Sequence, residues 1–233
     1  MEFIISPSAQ ASVPVTNSHC NFPVRRIYCV GQNYAEHVRE MGGDPANTRP
    51  VFFSKPADAV VINNESIAYP WATENLHYEA ELVVALKSGG RGLSPQDAGK
   101  TVFGYGVGID FTRRDLQAKC KSLGQPWDVA KGFDQSAPIS AIKPAELCPD
   151  VENSRIWLSV NGDIKQDGNT NDMIWNVAGI IAELSTFFEL KAGDLVFTGT
   201  PSGVGAVSIG DKVIAGIEGV GELSLTLLQS EVA

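Results

Sequence analysis

The chain has 233 residues, 43% hydrophobic and 19% charged, enough to bury a sizeable core in one large domain or two small ones. A formal charge of -9 argues against a nucleic-acid or anionic-membrane partner, since such partners are met by clustered Lys and Arg. No apolar run approaches the roughly 20 residues that cross a bilayer, so no membrane span is expected.

At the N-terminus Glu2, Ser6 and Pro7 break the charge and apolar pattern of a signal peptide, and no export signal is expected. Cys20, Cys29, Cys120 and Cys148 lack the paired spacing of zinc or redox motifs, which predicts free thiols in a reducing cytoplasm. Residues 1–24 are rich in Ser, Pro, Asn and Val and predict a short N-terminal arm or small strand segment ahead of a main domain over 25–233. From Ile27 onward short β-branched runs alternate with Gly, Pro and Asn. They predict strands over 27–30, 51–53, 60–62, 82–86, 102–109, 156–160, 195–198, 212–215 and 223–228. Three helices are expected: 34–41, closed by Gly42-Gly43; 112–123, closed by Gly124; and 172–188, from its apolar period. Many strands and few helices predict an α+β, mainly β fold built on a rolled or barrel-like sheet, not a doubly wound one.

Two glutamates in His77-Tyr78-Glu79-Ala80-Glu81 lead straight into the apolar run Leu82-Val83-Val84-Ala85-Leu86. In an extended strand residues two apart share a face, so both carboxylates aim at one spot beside a segment that wants burial. Burying such a pair uncompensated costs roughly several kcal/mol, and a bound divalent cation is the simplest compensation. Asp110 ends the apolar run 102–109 and offers a third hard oxygen donor, which suits magnesium, manganese or calcium. The competing arrangement has Asp110 capping the following helix while Glu79 and Glu81 pair with Arg113, Arg114 or Lys131.

His37 and Glu40 lie three apart on a predicted helix and so share a face, either as a base dyad with Glu40 orienting the imidazole or as a solvated surface pair. Lys131 falls in a loop-like stretch with aromatic neighbours, where it either meets an oxyanion or substrate carboxylate or stays solvated. The stretch from Thr198 to Gly205 offers hydroxyls and turn N–H groups that suit a carboxylate, or a plain hairpin connection. No phosphate loop is present there, because Gly199 to Gly205 has no Lys in the required place.

Several segments in one order carry more than any of them alone. They are Cys29-Val30-Gly31-Gln32-Asn33-Tyr34-Ala35-Glu36-His37, Phe53-Ser54-Lys55-Pro56, Asn75-Leu76-His77-Tyr78-Glu79-Ala80-Glu81-Leu82, Asp110-Phe111-Thr112-Arg113-Arg114-Asp115-Leu116-Gln117, Trp127 to Lys131 and Thr198 to Gly205. With these the chain resembles the fumarylacetoacetate hydrolase family over residues 25–228. Met41-Gly42-Gly43-Asp44-Pro45, Lys55 to Val60 and Phe133 to Pro138 look most like its fumarylpyruvate hydrolases, with acylpyruvases and oxaloacetate decarboxylases as the similar branch.

The resemblance implies a mixed β-roll with few helices and a catalytic domain over 25–233. It also implies a homodimer and one Mg2+ or Mn2+ per chain, held by Glu79, Glu81 and Asp110. His37 and Glu40 would be the water-activating dyad on a mobile lid, with Lys131 as a further catalytic group. Gln32, Asn33, Arg114, Gln117, Gly199 and Thr200 would bind the substrate, a 2,4-diketo acid of aromatic catabolism. Gln32 stands where many relatives have Arg, so it offers no charged fork to a distal carboxylate.

Overall fold

A computed structural model describes residues 3–47, 49–62 and 65–230. Its centre is a six-stranded sheet in the order Lys143–Pro144, Val102–Ile109, Ala80–Leu86, Asp194–Phe197, Arg26–Gly31, Val51–Lys55. All neighbours pair antiparallel except Asp194–Phe197 with Arg26–Gly31, which run parallel. A five-stranded sheet, in the order Asp163–Asn169, Arg155–Val160, Lys212–Ile217, Gly221–Leu228, Ile67–Ala68, closes the other side. All nine expected strands are present, within a mainly β fold.

The strand Ala80–Leu86 is buried along its whole length because both of its faces are covered. Leu82, Val84 and Leu86 join the larger core, with Ile156, Leu158, Val213 and Leu225 of the five-stranded sheet. Val83 and Ala85 turn the other way, into a second core with Ile27, Cys29, Leu195 and Phe197. Each such fully buried Val, Leu or Ile side chain contributes about 1.5–3 kcal/mol relative to leaving it in water. Glu81 has the phase of Val83 and so opens onto the second core. Its cross-strand partner is Gly108, where any Cβ would lie 2.5 Å from the Phe197 ring, so only glycine fits there.

Residues of the expected arm pair as strands Ser12–Pro14 and Asn21–Pro23, and Val13, Phe22 and Val24 are buried in that second core. The helices differ from expectation mainly at their starts. The first spans Ala35–Glu40 and the last Val177–Phe187, capped by the Asn176 side chain, which accepts from Gly179 N–H at 2.9 Å. The middle helix begins at Arg114, because Thr112–Arg113 is drawn into a short strand against His77 and Leu76. Helix Pro95–Lys100 and strand Asp163–Asn169 were not expected. All four cysteines are free, and only Cys20 is exposed. No helix among the described residues is long and apolar enough to cross a membrane.

Candidate metal centre and active site

The three carboxylates converge because two strand ends meet. Ile109 pairs with Ala80 at the last register position of the hairpin, and Asp110 N–H donates to Glu79 O at 2.8 Å, which sets Glu79 against Asp110. Glu81 follows on the same face. One ligand oxygen from each of Glu79, Glu81 and Asp110 lies within 4.8 Å of the others, and all three residues are buried. The expected same-face glutamates and strand-end aspartate are therefore brought together. Asp110 caps no helix, since the next one starts at Arg114 with Arg113 at its cap position.

The competing arrangement is also partly realised, because protein cations crowd two of the three carboxylates. Lys131 Nζ bridges Glu79 Oε2 and Asp110 Oδ2, each at 2.7 Å, and Arg114 pairs with Glu79 Oε1 at 2.5 Å. Burial alone would push the Glu79 carboxyl up, but Lys131 and Arg114 hold it well below the usual carboxylate range. Lys131 is itself 2% exposed, and although burial disfavours its charge, Asp110 and Glu79 raise its pKa. It closes a one-turn helix, Asp128–Lys131, in place of the expected loop-like stretch, and it is buried, not solvated. Arg113 takes no part, for it donates to Val129 O and stacks on the Phe133 ring at 4.4 Å.

Glu81 has no such partner. Its Oε2 accepts Gly199 N–H at 2.9 Å, and burial together with Asp110 and Glu79 raises its pKa well above the ordinary value. Asp110 Oδ1 forms an ion pair with Lys55 Nζ at 2.9 Å without an aligned hydrogen bond, and two of the three Lys55 N–H groups go to the Phe111 and Lys131 carbonyls. A buried carboxylate oxygen that accepts no hydrogen bond and a glutamate disfavoured in its charged form, in an all-oxygen donor set, fit a hard divalent cation such as Mg2+ or Mn2+.

His37 and Glu40 form a pair with His37 Nδ1 3.0 Å from Glu40 Oε2, and His37 is only 8% exposed. His37 is therefore no surface residue, whereas Glu40 stays exposed, so the pair sits at the edge of the protein surface. Glu40 Oε1 also accepts Gly203 N–H at 3.0 Å, so the short helix is tied to the loop from Thr198 to Gly205. That loop is no hairpin, since the strands at its two ends, Asp194–Phe197 and Gly205–Val207, belong to different sheets.

One cleft is lined by Gln32, His37, Glu79, Arg114, Gln117 and Lys131. Gln32 reaches it from a left-handed backbone, φ 64°, rare for a residue with a Cβ. Gln117 accepts from Arg114 through Oε1, which leaves its amide nitrogen facing other partners. Gly199 and Thr200 are buried and are not among the residues lining this cleft; Gly199 N–H reaches Glu81 instead. Asn33 is placed differently from the expected substrate contact. Its amide donates to the Trp175 and Thr198 carbonyls and accepts from Trp175 N–H, so both its hydrogens serve the backbone and it clamps three segments together. Sequence reasoning gave Lys55 no role. The signal was its phase, since it shares a strand face with Phe53, which packs partly buried against the second core, in Val51–Lys55.

Residues 26–228 match the profile of the "Fumarylacetoacetate (FAA) hydrolase C-terminal" family. The chain belongs to the fumarylacetoacetate hydrolase family. Within it, the chain is 44% identical to bovine oxaloacetate tautomerase FAHD1, mitochondrial, over 84% of this chain and 88% of that one. It is 43% identical to a fumarylpyruvate hydrolase from Ralstonia sp, over 81% of this chain and 97% of that one. The crystal structure of fumarylpyruvate hydrolase from Pseudomonas aeruginosa in complex with Mn2+ and pyruvate superposes with a TM-score of 0.96 at 46% identity, over 98% of this chain and all of that one. This fumarylacetoacetate hydrolase family member is thus an enzyme of a group that spans hydrolases and tautomerases, with an acidic triad fit for a divalent metal.

Proposed function

We propose that the chain is a divalent-metal-dependent hydrolase of 2,4-diketo acids that converts 3-fumarylpyruvate and water to fumarate and pyruvate. The observation that carries this reading is the buried acidic triad together with the His37–Glu40 pair, with Glu79 and His37 lining one cleft. The likeness to the Mn2+- and pyruvate-bound fumarylpyruvate hydrolase supports the choice of substrate. When bound by Glu79, Glu81 and Asp110, a divalent cation supplies the positive charge that draws in a 2-oxo acid and steadies negative charge as it develops.

The protein side of the reaction follows from the hydrogen bonds. An ionised Glu40 can only accept, so it holds the proton on His37 Nδ1 and leaves the lone pair on Nε2 toward the cleft. Gly203 N–H keeps Glu40 in that orientation. Nε2 takes a proton from water while the water oxygen bonds to C4 of the diketo acid. The C3–C4 bond then breaks, its electron pair passes to the pyruvate fragment as an enolate, and the imidazolium returns its proton to C3. Lys131, kept protonated by Asp110 and Glu79, neutralises part of that developing charge, and Gln117 and Arg114 line the path of the substrate.

A second reading, oxaloacetate tautomerisation, is favoured by the bovine relative at 44% identity. It needs proton transfer at the carbon next to the carbonyl but no attacking water. The test follows absorbance of fumarylpyruvate, acetylpyruvate and oxaloacetate with purified protein and Mg2+ or Mn2+. Chelator-sensitive loss of fumarylpyruvate with fumarate and pyruvate as products supports the hydrolase. Enol–keto exchange of oxaloacetate without any C–C cleavage on the diketo acids replaces it with the tautomerase, and carbon dioxide release replaces it with a decarboxylase.

A further inference from the structure

Gln166 is the only buried residue of the strand Asp163–Asn169, whose other positions are exposed or half-exposed. A register shift explains how it gets there. Leu158 pairs with Gln166 and Ser159 with Ile164, so Lys165 is an extra residue in the strand, and a bulge of this kind re-aims the neighbouring side chain. Gln166 is wholly buried, and every polar group of its amide is used. Oε1 accepts Ala80 N–H at 2.9 Å, while Nε2 donates to Pro201 O at 2.9 Å and to Thr200 Oγ1 at 2.8 Å.

The two backbone partners fix which end of the amide is which. Ala80 N–H can only donate and must face oxygen; Pro201 C=O can only accept and must face nitrogen. Thr200 Oγ1 is therefore forced to be an acceptor toward Gln166, and its own proton has to point elsewhere. Among the described residues that hydroxyl has no acceptor. Ala80 is the residue between Glu79 and Glu81, and Gly199, next to Thr200, donates to Glu81. One side chain from the five-stranded sheet thus joins the carboxylate-bearing strand to the loop that carries Thr200. The loop is seated on that bulge: at Gly203, φ 94°, a Cβ would lie 2.2 Å from Lys165 O.

We infer that Gln166 is a positioning residue that sets the Thr200 hydroxyl as a hydrogen-bond donor for the carboxylate of a 2-oxo acid bound beside Glu81. This rests on the proposed function, in which such an acid occupies the site. The inference also explains why a neutral amide stands at this buried place. A carboxylate there would compete for the Thr200 proton, and a lysine would leave Ala80 N–H without an acceptor.

The experiment is a double-mutant cycle on Gln166→Met and Thr200→Val, read as KM and kcat for fumarylpyruvate in Mn2+-loaded protein, with the melting temperature followed separately. A hydrogen bond to a charged group sets the expected size, so each single substitution should raise KM about tenfold or more, with the smaller change in kcat. In the Thr200→Val background Gln166→Met should then raise KM no further, even where it lowers the melting temperature. Gln166→Glu, which keeps the acceptor for Ala80 but offers Thr200 a second acceptor, should show the same pattern and serves where the Met variant does not fold. KM effects that multiply in the double variant would overturn the inference, because Gln166 would then act independently of Thr200. If the wild type does not cleave fumarylpyruvate, the proposed function fails, and the same cycle is read from calorimetric affinity for pyruvate, where non-additive losses support the inference and additive ones overturn it.

Discussion

Replacing Glu81 by Gln separates the cost of its charge from the use of it. Glu81 is 2% exposed, its candidate ligand oxygen lies within 4.8 Å of those of Glu79 and Asp110, and its one protein hydrogen bond comes from Gly199 N–H. Two unit charges at that separation repel by about 3 kcal/mol at an effective dielectric near 20. Lys131 and Lys55 offset part of that repulsion through Glu79 and Asp110, so a net gain of about 1–2 kcal/mol is expected when the charge is removed. The substitution keeps the side-chain volume and a carbonyl for Gly199 N–H. The metal-free variant should therefore melt several degrees higher than the wild type, since about 1 kcal/mol moves the midpoint of a chain this size by about 2–4 °C.

Metal response should move the other way. Loss of one of three anionic ligands is expected to weaken Mn2+ binding about 100-fold. At Mn2+ equal to 100 times the wild-type Kd, the wild type then gains about 2.7 kcal/mol and the variant only about 0.4 kcal/mol. Calorimetric melts of both proteins, in chelator and in Mn2+, read both quantities. A variant that is less stable in chelator and responds to Mn2+ as the wild type does would refute the reasoning, because Glu81 would then be a structural anion held by the surrounding cations and not a ligand.

His37→Ala should lower the turnover of fumarylpyruvate by at least about 100-fold, the usual worth of a positioned base, while calorimetric Mn2+ affinity stays near wild type; retained turnover would remove His37 from the chemistry. Lys55→Met should cost about 3 kcal/mol in chelator, because Asp110 loses a buried counter-charge and two carbonyls lose a donor, with Mn2+ restoring part of it in chemical denaturation. His77, half-buried with Nε2 bonded to Asn75 Oδ1, is pushed down to about 4 by burial and by Arg114. The unfolded chain takes up that proton near pH 6.5 and the folded one only near pH 4, so this residue's stabilisation is complete above pH 6.5 and is lost as pH falls through that window. NMR titration of His77 should show a midpoint near 4, and a midpoint above 6 would contradict the burial argument.

What the sequence determined by itself was local. Period-two alternation placed Glu79 and Glu81 on one face, the end of an apolar run placed Asp110 at a strand end, and helical spacing put His37 beside Glu40, all as found. The order of these segments also carried the family and its mainly β fold. The tertiary structure alone decided which groups became neighbours. Thr112 and Arg113 read as the start of a helix, but an available strand edge at Leu76 and His77 captured their backbone groups. Asn33 looked free to meet a ligand until three backbone partners from residues 175 and 198 filled its amide. Lys131 was already a sequence candidate for pairing with Glu79, as found, whereas Lys55 and Gln166 come from separate stretches of chain with nothing local to name their partners. Periodicity fixes which way a side chain points, whereas its partner is set by sheet register and by a bulge that no local pattern of residues specifies.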